Sequence, residues 1–255
     1  MLKKRIIPTL LLSKGRMVKG KQFGNFRDTG DPVSAARIYN AQNADELFFL
    51  DIDAHRTGSA FEILEKTIKE VAKECFMPLS VGGGINSVDK IRRLLLAGAD
   101  KISITTAAHT YPDLINQAAN LYGRQCIVVG LDVKLEEGNY VLYSHCGTQK
   151  TQRTLRDFIL EMTERGAGEF VINSIDNDGM MTGYDFQCAK EVKSYTDRPI
   201  IISGGAGTFM HLVDAFNEAQ VDAVACASIF HFGDNNPIRA RSYLLNQGIP
   251  MKLTK

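Results

Sequence analysis

The chain has 255 residues, and its 30 basic and 29 acidic side chains give a net charge of +1. This balance argues against a surface for nucleic acid or another polyanion, and no apolar run approaches the roughly 20 residues of a membrane span. The five scattered cysteines lack a C-x-x-C pair, which indicates reduced thiols and neither a disulfide framework nor a zinc site. The first strand begins too early to leave room for a signal peptide, so we expect a cytoplasmic protein.

Short apolar runs alternate with helical stretches along the whole chain. The apolar runs are typical of buried parallel strands and predict strands at residues 5–12, 46–52, 78–81, 101–104, 126–133, 169–175, 199–203 and 223–227. The predicted helices are residues 32–42, 60–75, 88–97, 111–121, 154–165, 186–195 and 210–219. Eight strands with helices between them predict the α/β class and a closed (β/α)8 TIM barrel, with an open doubly wound sheet as the alternative.

The second half of the chain repeats the first. Residues 46–53 align with 169–176, residues 80–84 with 202–206, and residues 100–106 with 222–228. Strands that recur in the same order at half the chain length indicate two units, neither of which buries its own sheet faces alone. We therefore predict one domain over residues 1–255, built from two fused half-barrels at about 1–122 and 123–255.

The first and fifth strands differ at one informative position. When they are aligned, Ile6 falls on Ile127 and Leu12 falls on Val133. Leu11 then stands where the second copy has Asp132.

Glycine-rich turns follow the third and seventh predicted strands. Glycine lets backbone amides approach an anion, and helix amino termini add positive potential. Barrel enzymes commonly hold phosphate in the loops after strands seven and eight. The residues of this predicted phosphate site are Gly179, Gly205, Ala227 and Ser228, and those of a second, opposite site are Gly84, Thr105 and Thr106. A substrate with two distant phosphates would span both sites; two tight turns without a ligand are the alternative.

The chain resembles the synthase (cyclase) subunit of imidazole glycerol phosphate synthase from residue 1 to about residue 232. The resemblance rests on residues 4–7, 15–20, 27–32, 45–51, 81–84, 98–101, 165–169, 174–179, 203–207 and 227–232. It implies closure of an imidazole ring on a bis-phosphorylated precursor, with ammonia that a bound glutaminase subunit delivers through the barrel. It implies no metal and no other cofactor. The histidines are interpreted as structural or surface residues: His55, His109, His145, His211 and His231.

The resemblance implies two catalytic aspartates, at the ends of strands one and five, that act as acid and base. Asp132 matches the second, whereas Leu11 replaces the first, and an aliphatic side chain cannot transfer a proton. We expect negligible imidazole formation, and an apolar neighbour that raises the pKa of Asp132 by desolvation. Lys19 matches a lysine that covers the substrate, and Asp51 and Asp178 match further acids of the substrate pocket.

A second constellation lies where the strands begin. Four residues match a ring of salt bridges that gates ammonia entry in the family: Arg5, Glu46, Lys101 and Glu169. Asp100 matches an acid at the glutaminase interface. The alternative is a structural charge cluster that closes the barrel, because charges buried there need partners in either case.

Ammonia passage and phosphate binding thus look intact while half of the acid–base pair is absent. This combination resembles a diverged branch of the family, whose members work beside a sugar amidotransferase that installs acetamidino groups on bacterial surface polysaccharides such as lipopolysaccharide. In this interpretation the chain is a non-cyclising barrel that forms a heterodimer with a glutaminase and passes ammonia on. The alternatives are an active cyclase of histidine biosynthesis that tolerates Leu11, and a barrel that only activates or scaffolds its glutaminase.

Overall fold

The computed structural model describes residues 3–53 and 60–252, and their main feature is a closed ring of parallel strands. The strands are β1 (Arg5–Ser13), β2 (Arg16–Lys21), β3 (Gly24–Gly30), β4 (Leu47–Asp51), β5 (Leu79–Gly82), β6 (Lys101–Ile104), β7 (Ile127–Glu136), β8 (Asn139–Ser144), β9 (Gln149–Thr154), β10 (Glu169–Ser174), β11 (Ile200–Ser203) and β12 (Ala223–Cys226). The barrel order is β1, β4, β5, β6, β7, β10, β11 and β12, and β12 pairs with β1 to close the ring. The predicted (β/α)8 barrel is confirmed.

The helices lie between successive barrel strands. They are α1 (Pro32–Ala41), α2 (Ala60–Val71), α3 (Val88–Ala97), α4 (Thr106–Thr110), α5 (Asp113–Tyr122), α6 (Leu155–Arg165), α7 (Phe186–Tyr195), α8 (Phe209–Asn217), α9 (Ser228–His231) and α10 (Pro237–Asn246). Gly98 and Gly166 end α3 and α6 in the left-handed conformation, as their positions predict. Within the described ranges, no helix is long and apolar enough to cross a membrane.

Strand alternation divides the apolar side chains into two layers. Ile6 and Leu10 of β1 belong to the large cluster that packs the helices against the sheet, whereas Ile7 belongs to a smaller cluster inside the barrel. Because side chains alternate across a strand, Arg5, Ile7, Thr9 and Leu11 share the inner face of β1. This one row runs from the end of the barrel where the strands begin to the end where they finish.

The sequence analysis missed two hairpins, which occupy the same place in each half. β2–β3 follows β1, and β8–β9 follows β7, each paired antiparallel to its barrel strand. The first turns of these extensions, Lys14–Gly15 and Glu137–Gly138, have positive φ at both residues, as two-residue hairpin turns require. The loops that follow β1 and β7 are therefore ordered arms.

Several predicted helices have different limits in the structure. The predicted helix at 60–75 ends at Val71, and the residues before the predicted helix at 111–121 form the separate short helix α4. Neither α4 nor its counterpart α9 was predicted, because four or five residues carry no helical periodicity. The final helix α10 was also missed, although Asn236 caps it and Pro237 opens it.

Matched hydrogen bonds correct the predicted repeat by one residue at the third and seventh barrel strands. The Asp100 carboxylate accepts from Leu79 N at 2.8 Å, and the Asp222 carboxylate accepts from Ile200 N at 3.0 Å. Leu79 therefore corresponds to Ile200. Because β5 and β11 each continue for three more residues, Gly82 corresponds to Ser203. Residue 84 corresponds to 205, not to 206 as the sequence alignment predicted, so the two glycines of the predicted phosphate sites are structural equivalents.

Candidate active site

A cavity of about 570 Å³, the mouth cavity, lies at the carboxyl ends of the barrel strands. Every residue that the sequence assigned to catalysis or substrate binding lines it: Leu11, Lys19, Asp51, Gly84, Thr105, Thr106, Asp132, Asp178, Gly179, Gly205, Ala227 and Ser228. Parallel strands end on the same side of a barrel, so residues that are distant in sequence converge there. The structure thus brings the predicted site together in one cavity.

Asp132 is the buried acid of the mouth cavity. Its carboxylate accepts a hydrogen bond from Asn173 Nδ2 at 2.9 Å, and the residue is 6% exposed. Burial raises the pKa of Asp132 to about 6, with a smaller contribution from Asp178, while the Asn173 hydrogen bond acts in the opposite direction. This upward shift is the direction that the sequence predicted. Leu11, at the corresponding end of β1, adds an aliphatic side chain to the same cavity.

The first hairpin is held down by contacts with the loop after β10. Lys19 Nζ lies 2.6 Å from Asp178 Oδ1, and the lysine is 2% exposed. The backbone of the hairpin adds a hydrogen bond from Gln22 N to the Asp178 carbonyl at 2.8 Å. Lys19 is therefore fixed over the cavity with its charge already paired.

Close backbone packing shapes both predicted phosphate sites. A side chain at Gly205 would bring its Cβ to 1.9 Å from the Gly183 carbonyl oxygen, and the Gly205 φ of +110° also favours glycine. On the opposite side, Gly130 leaves room for Thr105, whose Oγ1 would lie 2.0 Å from a Cβ at residue 130. These glycines let hydroxyl residues and amides reach the cavity.

The sequence analysis did not single out Lys90, which lies beside the Gly84 site. Its Nζ donates to the Gly84 carbonyl at 2.8 Å and lies 5.1 Å from the centre of the Phe61 ring. In the part of the chain that the structure describes, no carboxylate lies within ion-pair distance of this ammonium group. The sequence could have identified Lys90 by its position, because it lies in the first turn of a helix that follows a glycine-rich turn.

The four predicted gate residues form one closed ion-pair ring where the strands begin. Arg5 pairs with Glu46 at 2.6 Å and also with Glu169. Lys101 Nζ lies 2.9 Å from Glu46 and 3.0 Å from Glu169. Ser80 Oγ adds a hydrogen bond to Glu46 at 2.5 Å.

Each charge in the ring is stabilised by two opposite charges. Burial disfavours the charge of Arg5, but Glu169 and Glu46 outweigh it and raise the Arg5 pKa above its ordinary value. Burial likewise disfavours the Glu46 carboxylate, yet Lys101 and Arg5 hold the Glu46 pKa below its ordinary value. The ring is therefore a cluster of mutually paired side chains in a largely buried place.

Comparison with known proteins gives the family. A family model described as "Histidine biosynthesis protein" matches residues 5–236. Two relatives named "Imidazole glycerol phosphate synthase subunit HisF", from Dehalococcoides mccartyi strains BAV1 and CBDB1, are each 44% identical over 253 residues, with 99% of both chains covered. The chain belongs to the HisF family. This confirms, for the family, the resemblance seen in the sequence.

Asp100, the predicted interface acid of this HisF-family barrel, also has a structural role. Its exposed carboxylate accepts from Leu79 N, and its own amide donates to the Leu79 carbonyl at 2.8 Å. Asp222 makes the same pair of contacts with Ile200 in the second half. Any variant at residue 100 must therefore keep a hydrogen-bond acceptor if it is to report on partner binding.

The two hairpins meet above the mouth cavity, which the sequence analysis did not foresee. A Cβ on Gly147, at the β8–β9 tip, would lie 2.8 Å from the ring of Phe23, at the β2–β3 tip. His145 N donates to Thr106 Oγ1 at 3.0 Å, and Cys146 Sγ donates to the Ile52 carbonyl at 3.4 Å. These tip residues roof the cavity. His55, one of the five histidines of the sequence analysis, lies outside the described residues.

Proposed function

We propose that this chain is the barrel subunit of a HisF-type glutamine amidotransferase complex, that it receives ammonia from a glutaminase partner, and that it does not itself close an imidazole ring. The carrying observation is Leu11 in the mouth cavity. Among the described acids there, Asp178 is paired with Lys19, and Asp51 accepts from Asp53 N at 2.8 Å. Asp132 is left without an acid–base partner at the corresponding end of β1.

The substrate of the mouth cavity is proposed to be an elongated molecule with a phosphate at each end. Gly84, Thr105 and Thr106 line the same cavity as Gly205 and Ser228, and their amides and hydroxyls are proposed to hold the two phosphates. Two buried oxygens of the cavity wall, Thr9 Oγ1 and Asp178 Oδ2, have no hydrogen-bond partner in the described residues. They are available to the centre of such a substrate.

The ammonia path is proposed to run along the barrel axis. It begins at the ion-pair ring, passes the apolar interior formed by residues such as Ile7, Val128 and Ile201, and ends at the mouth cavity. Carboxylates in the ring would hold an ammonium ion, whereas the apolar layer favours uncharged ammonia. A structural plug would need paired charges as well. Only a comparison of glutamine with free ammonium as the nitrogen source separates a plug from a gate.

The glutaminase is proposed to dock on the end of the barrel where the strands begin. Helices run antiparallel to the barrel strands, so the ends of α2, α3 and α5 lie there. Near these ends are Phe76, Leu96 and Leu121, which are 88%, 74% and 63% exposed; together they are called the apolar rim. An exposed apolar cluster beside the charge of Asp100 fits the hydrophobic core and polar edge of a protein interface.

The ammonia has two candidate destinations. The absence of an acid at position 11, where the chain has Leu11, favours transfer to an amidotransferase that makes acetamidino sugars of surface polysaccharides. The 44% identity to relatives named imidazole glycerol phosphate synthase subunits favours ring closure in histidine biosynthesis. We propose the first, because an aliphatic residue at position 11 cannot supply the missing proton transfer.

Turnover with supplied ammonium tests the chemistry without the partner. The purified chain, given the bis-phosphorylated cyclase substrate and an ammonium salt, is expected to form imidazole product far below roughly 1 s⁻¹, the slow end of the range typical of enzymes. Turnover at that rate would refute the proposal and establish the cyclase. Gene deletion gives the cellular readout: loss of surface-sugar amidination without histidine auxotrophy is expected, and auxotrophy would contradict it.

Paired variants test the docking face. Asp100→Asn keeps an acceptor for Leu79 N but loses the charge, so weaker co-purification with the glutaminase is expected. Asp222→Asn makes the same change in the second half and is expected to leave the complex intact. Equal behaviour of the two variants would contradict the assignment of Asp100 to the interface.

A further inference from the structure

An apolar cluster fills the barrel interior between the ion-pair ring and the mouth cavity. Its members come from six of the eight barrel strands: Ile7, Phe48, Val128, Val171, Ile201, Ala223 and Ala225. Among these described residues only Phe48 carries an aromatic ring, and it is 1% exposed. Side chains fill the interior of an eight-stranded barrel, so the largest of them has the greatest effect on passage along the axis.

Strand alternation places Phe48 one layer from the ion-pair ring. The ring residues of β4, β6 and β10 point into the barrel, so the residues two positions later on these strands point inward as well. These residues are Phe48, Ser103 and Val171, and the repeat adds Ala225 of β12 as the counterpart of Ser103. Alternate strands contribute the side chains of one layer in such a barrel, and these four residues are called the Phe48 layer.

The mouth cavity reaches the side chains around Phe48. Ser103 and Ala225 of the Phe48 layer line that cavity, and so does Thr9, which pairs with Phe48 in register on the neighbouring strand. Phe48 itself does not line it. The Phe48 ring therefore lies directly beneath the floor of a cavity of about 570 Å³, and the open space is on the mouth side of the ring.

The second half of the chain has a smaller side chain at the corresponding position. The alignment of the two halves matches Phe48 with Val171. Phe49, on the opposite face of β4, matches Ile172, and both belong to the cluster between the sheet and the helices. An aromatic ring inside the barrel is therefore not needed to build the strand, because the second half builds it with valine.

We propose that Phe48 is a valve on the ammonia path, separate from the ion-pair ring. The Phe48 ring closes the barrel interior at rest and turns toward the mouth cavity when ammonia passes. This inference rests on the proposed function, in which ammonia moves along the barrel axis.

The valve selects for uncharged ammonia. A closed apolar layer excludes water, as hydrophobic constrictions in channels do. An ammonium ion would lose its hydration there, and none of the four residues of the Phe48 layer carries a charge that could replace it. The mouth cavity can therefore hold water and a charged substrate while the barrel interior stays dry.

Xenon tests whether the Phe48 ring fills the path, because apolar cavities in proteins take up xenon. Crystals of Phe48→Ala under xenon pressure are expected to show a xenon atom between the ion-pair ring and the mouth cavity, where the original protein shows none. Phe49→Ala removes the same side chain from the other face of β4 and should leave the interior without xenon. If Phe48→Ala does not fold, Phe48→Val, which carries the residue of the second half, takes its place.

Two xenon results would overturn the proposal. Xenon inside the original barrel would show that the Phe48 layer is already open. A folded variant at position 48 without xenon in its interior would show that the ring is not what fills the path.

A side chain too large to turn tests whether the ring must move. In the complex with the glutaminase, Phe48→Trp should lower the transfer of nitrogen from labelled glutamine to the product, amidinated sugar or imidazole, at least tenfold. Transfer from ammonium in the medium, which enters through the mouth, should be unchanged. Phe48→Leu keeps a mobile apolar side chain and is the control that should still transfer glutamine nitrogen.

The outcomes separate the valve from the proposed function. Undiminished glutamine transfer in Phe48→Trp, or an equal loss with both nitrogen sources, refutes the valve alone. A complex of the original chain that transfers no glutamine nitrogen refutes the proposed function and the valve with it.

Discussion

β1 of the first half brings Leu11 to the mouth cavity, and β7 of the second half brings Asp132 there. Both strands continue into a hairpin, and a short helix follows the last strand of each half. The backbone plan is therefore shared, while the side chain that meets the substrate differs. The comparison teaches that strand ends can change chemistry without altering the barrel, because their side chains face a cavity and not the packed core.

The opposite end of the barrel differs in the same way. The first half exposes the apolar rim, whereas the positions that match Phe76 and Leu96 in the second half are Asp197 and Glu218. The acids Asp100 and Asp222 are the same in both halves and accept from matching backbone amides. The hydrogen bonds of these acids are therefore present in both halves, whereas the exposed apolar residues of the rim lie in the first half.

The largest effect is expected from making β1 resemble β7, which is the fifth strand of the barrel. Leu11→Asp should raise imidazole formation with supplied ammonium by roughly 10²-fold or more, because it restores an acid–base partner for Asp132. Leu11→Asn has a similar size without an acid and is the control. A gain in both variants, or in a Leu11→Asp, Asp132→Asn double variant, would contradict the proton-transfer explanation.

The next effect concerns stability and pH. Asp132 has a pKa of about 6 in the folded state, against an ordinary value of 3.8, so between these pH values the folded chain binds a proton that the unfolded chain releases. Raising the pH through this window therefore lowers the free energy of unfolding, by about 3 kcal/mol in total.

Asp132→Asn has no carboxyl group to titrate and so does not show this loss. The free energy of unfolding of the variant, relative to that of the original chain, should therefore rise by about 3 kcal/mol between about pH 4 and pH 7.5. Urea unfolding at the two pH values provides the measurement. Leu11→Asn, at the corresponding point of β1, should change stability equally at both. A pH-independent effect of Asp132→Asn would show that the pKa of Asp132 is the same in the folded and unfolded chains.

A smaller effect is expected when the apolar rim is made to resemble the second half. Phe76→Asp should weaken glutaminase binding by about 2 kcal/mol, or roughly 30-fold, because an exposed aromatic residue is a common interface anchor. Asp197→Asn changes the matching position and should have no effect. Isothermal titration of the two subunits measures both, and equal affinities would place the interface elsewhere.

The smallest effect is expected at the anion sites, where Lys90 corresponds to His211 of the second half, each three residues after a helix cap. Lys90→Gln should lower phosphate affinity at the Gly84 site by about 1 kcal/mol, roughly fivefold, because a partly exposed ammonium contributes little more. Phosphate occupancy in crystals over a concentration series measures it. The Gly205 site is the internal control and should fill as before.

The sequence by itself determined the barrel and much of the mouth cavity. Eight apolar runs separated by helices fit few other folds, and polar residues directly after parallel strands must converge because the strands end on one side. The internal repeat set Leu11 against Asp132, and the resemblance to a known family singled out the ring of Arg5, Glu46, Lys101 and Glu169. Their positions depend on strand direction and alternation, which are local properties of the chain.

The tertiary structure alone decided features that depend on contacts between distant segments. The outer strands β3 and β9 are mostly polar, so the hairpins look like loops until β2 and β8 pair with β1 and β7. The one-residue correction of the repeat follows from the bonds of Asp100 and Asp222, which no periodicity encodes. A cavity of about 330 Å³ is lined by both Ala35 of α1 and His231 of α9, which lie almost two hundred residues apart in sequence. The size of such a cavity depends on how all of the surrounding side chains pack, and that packing is set only when the whole barrel has closed.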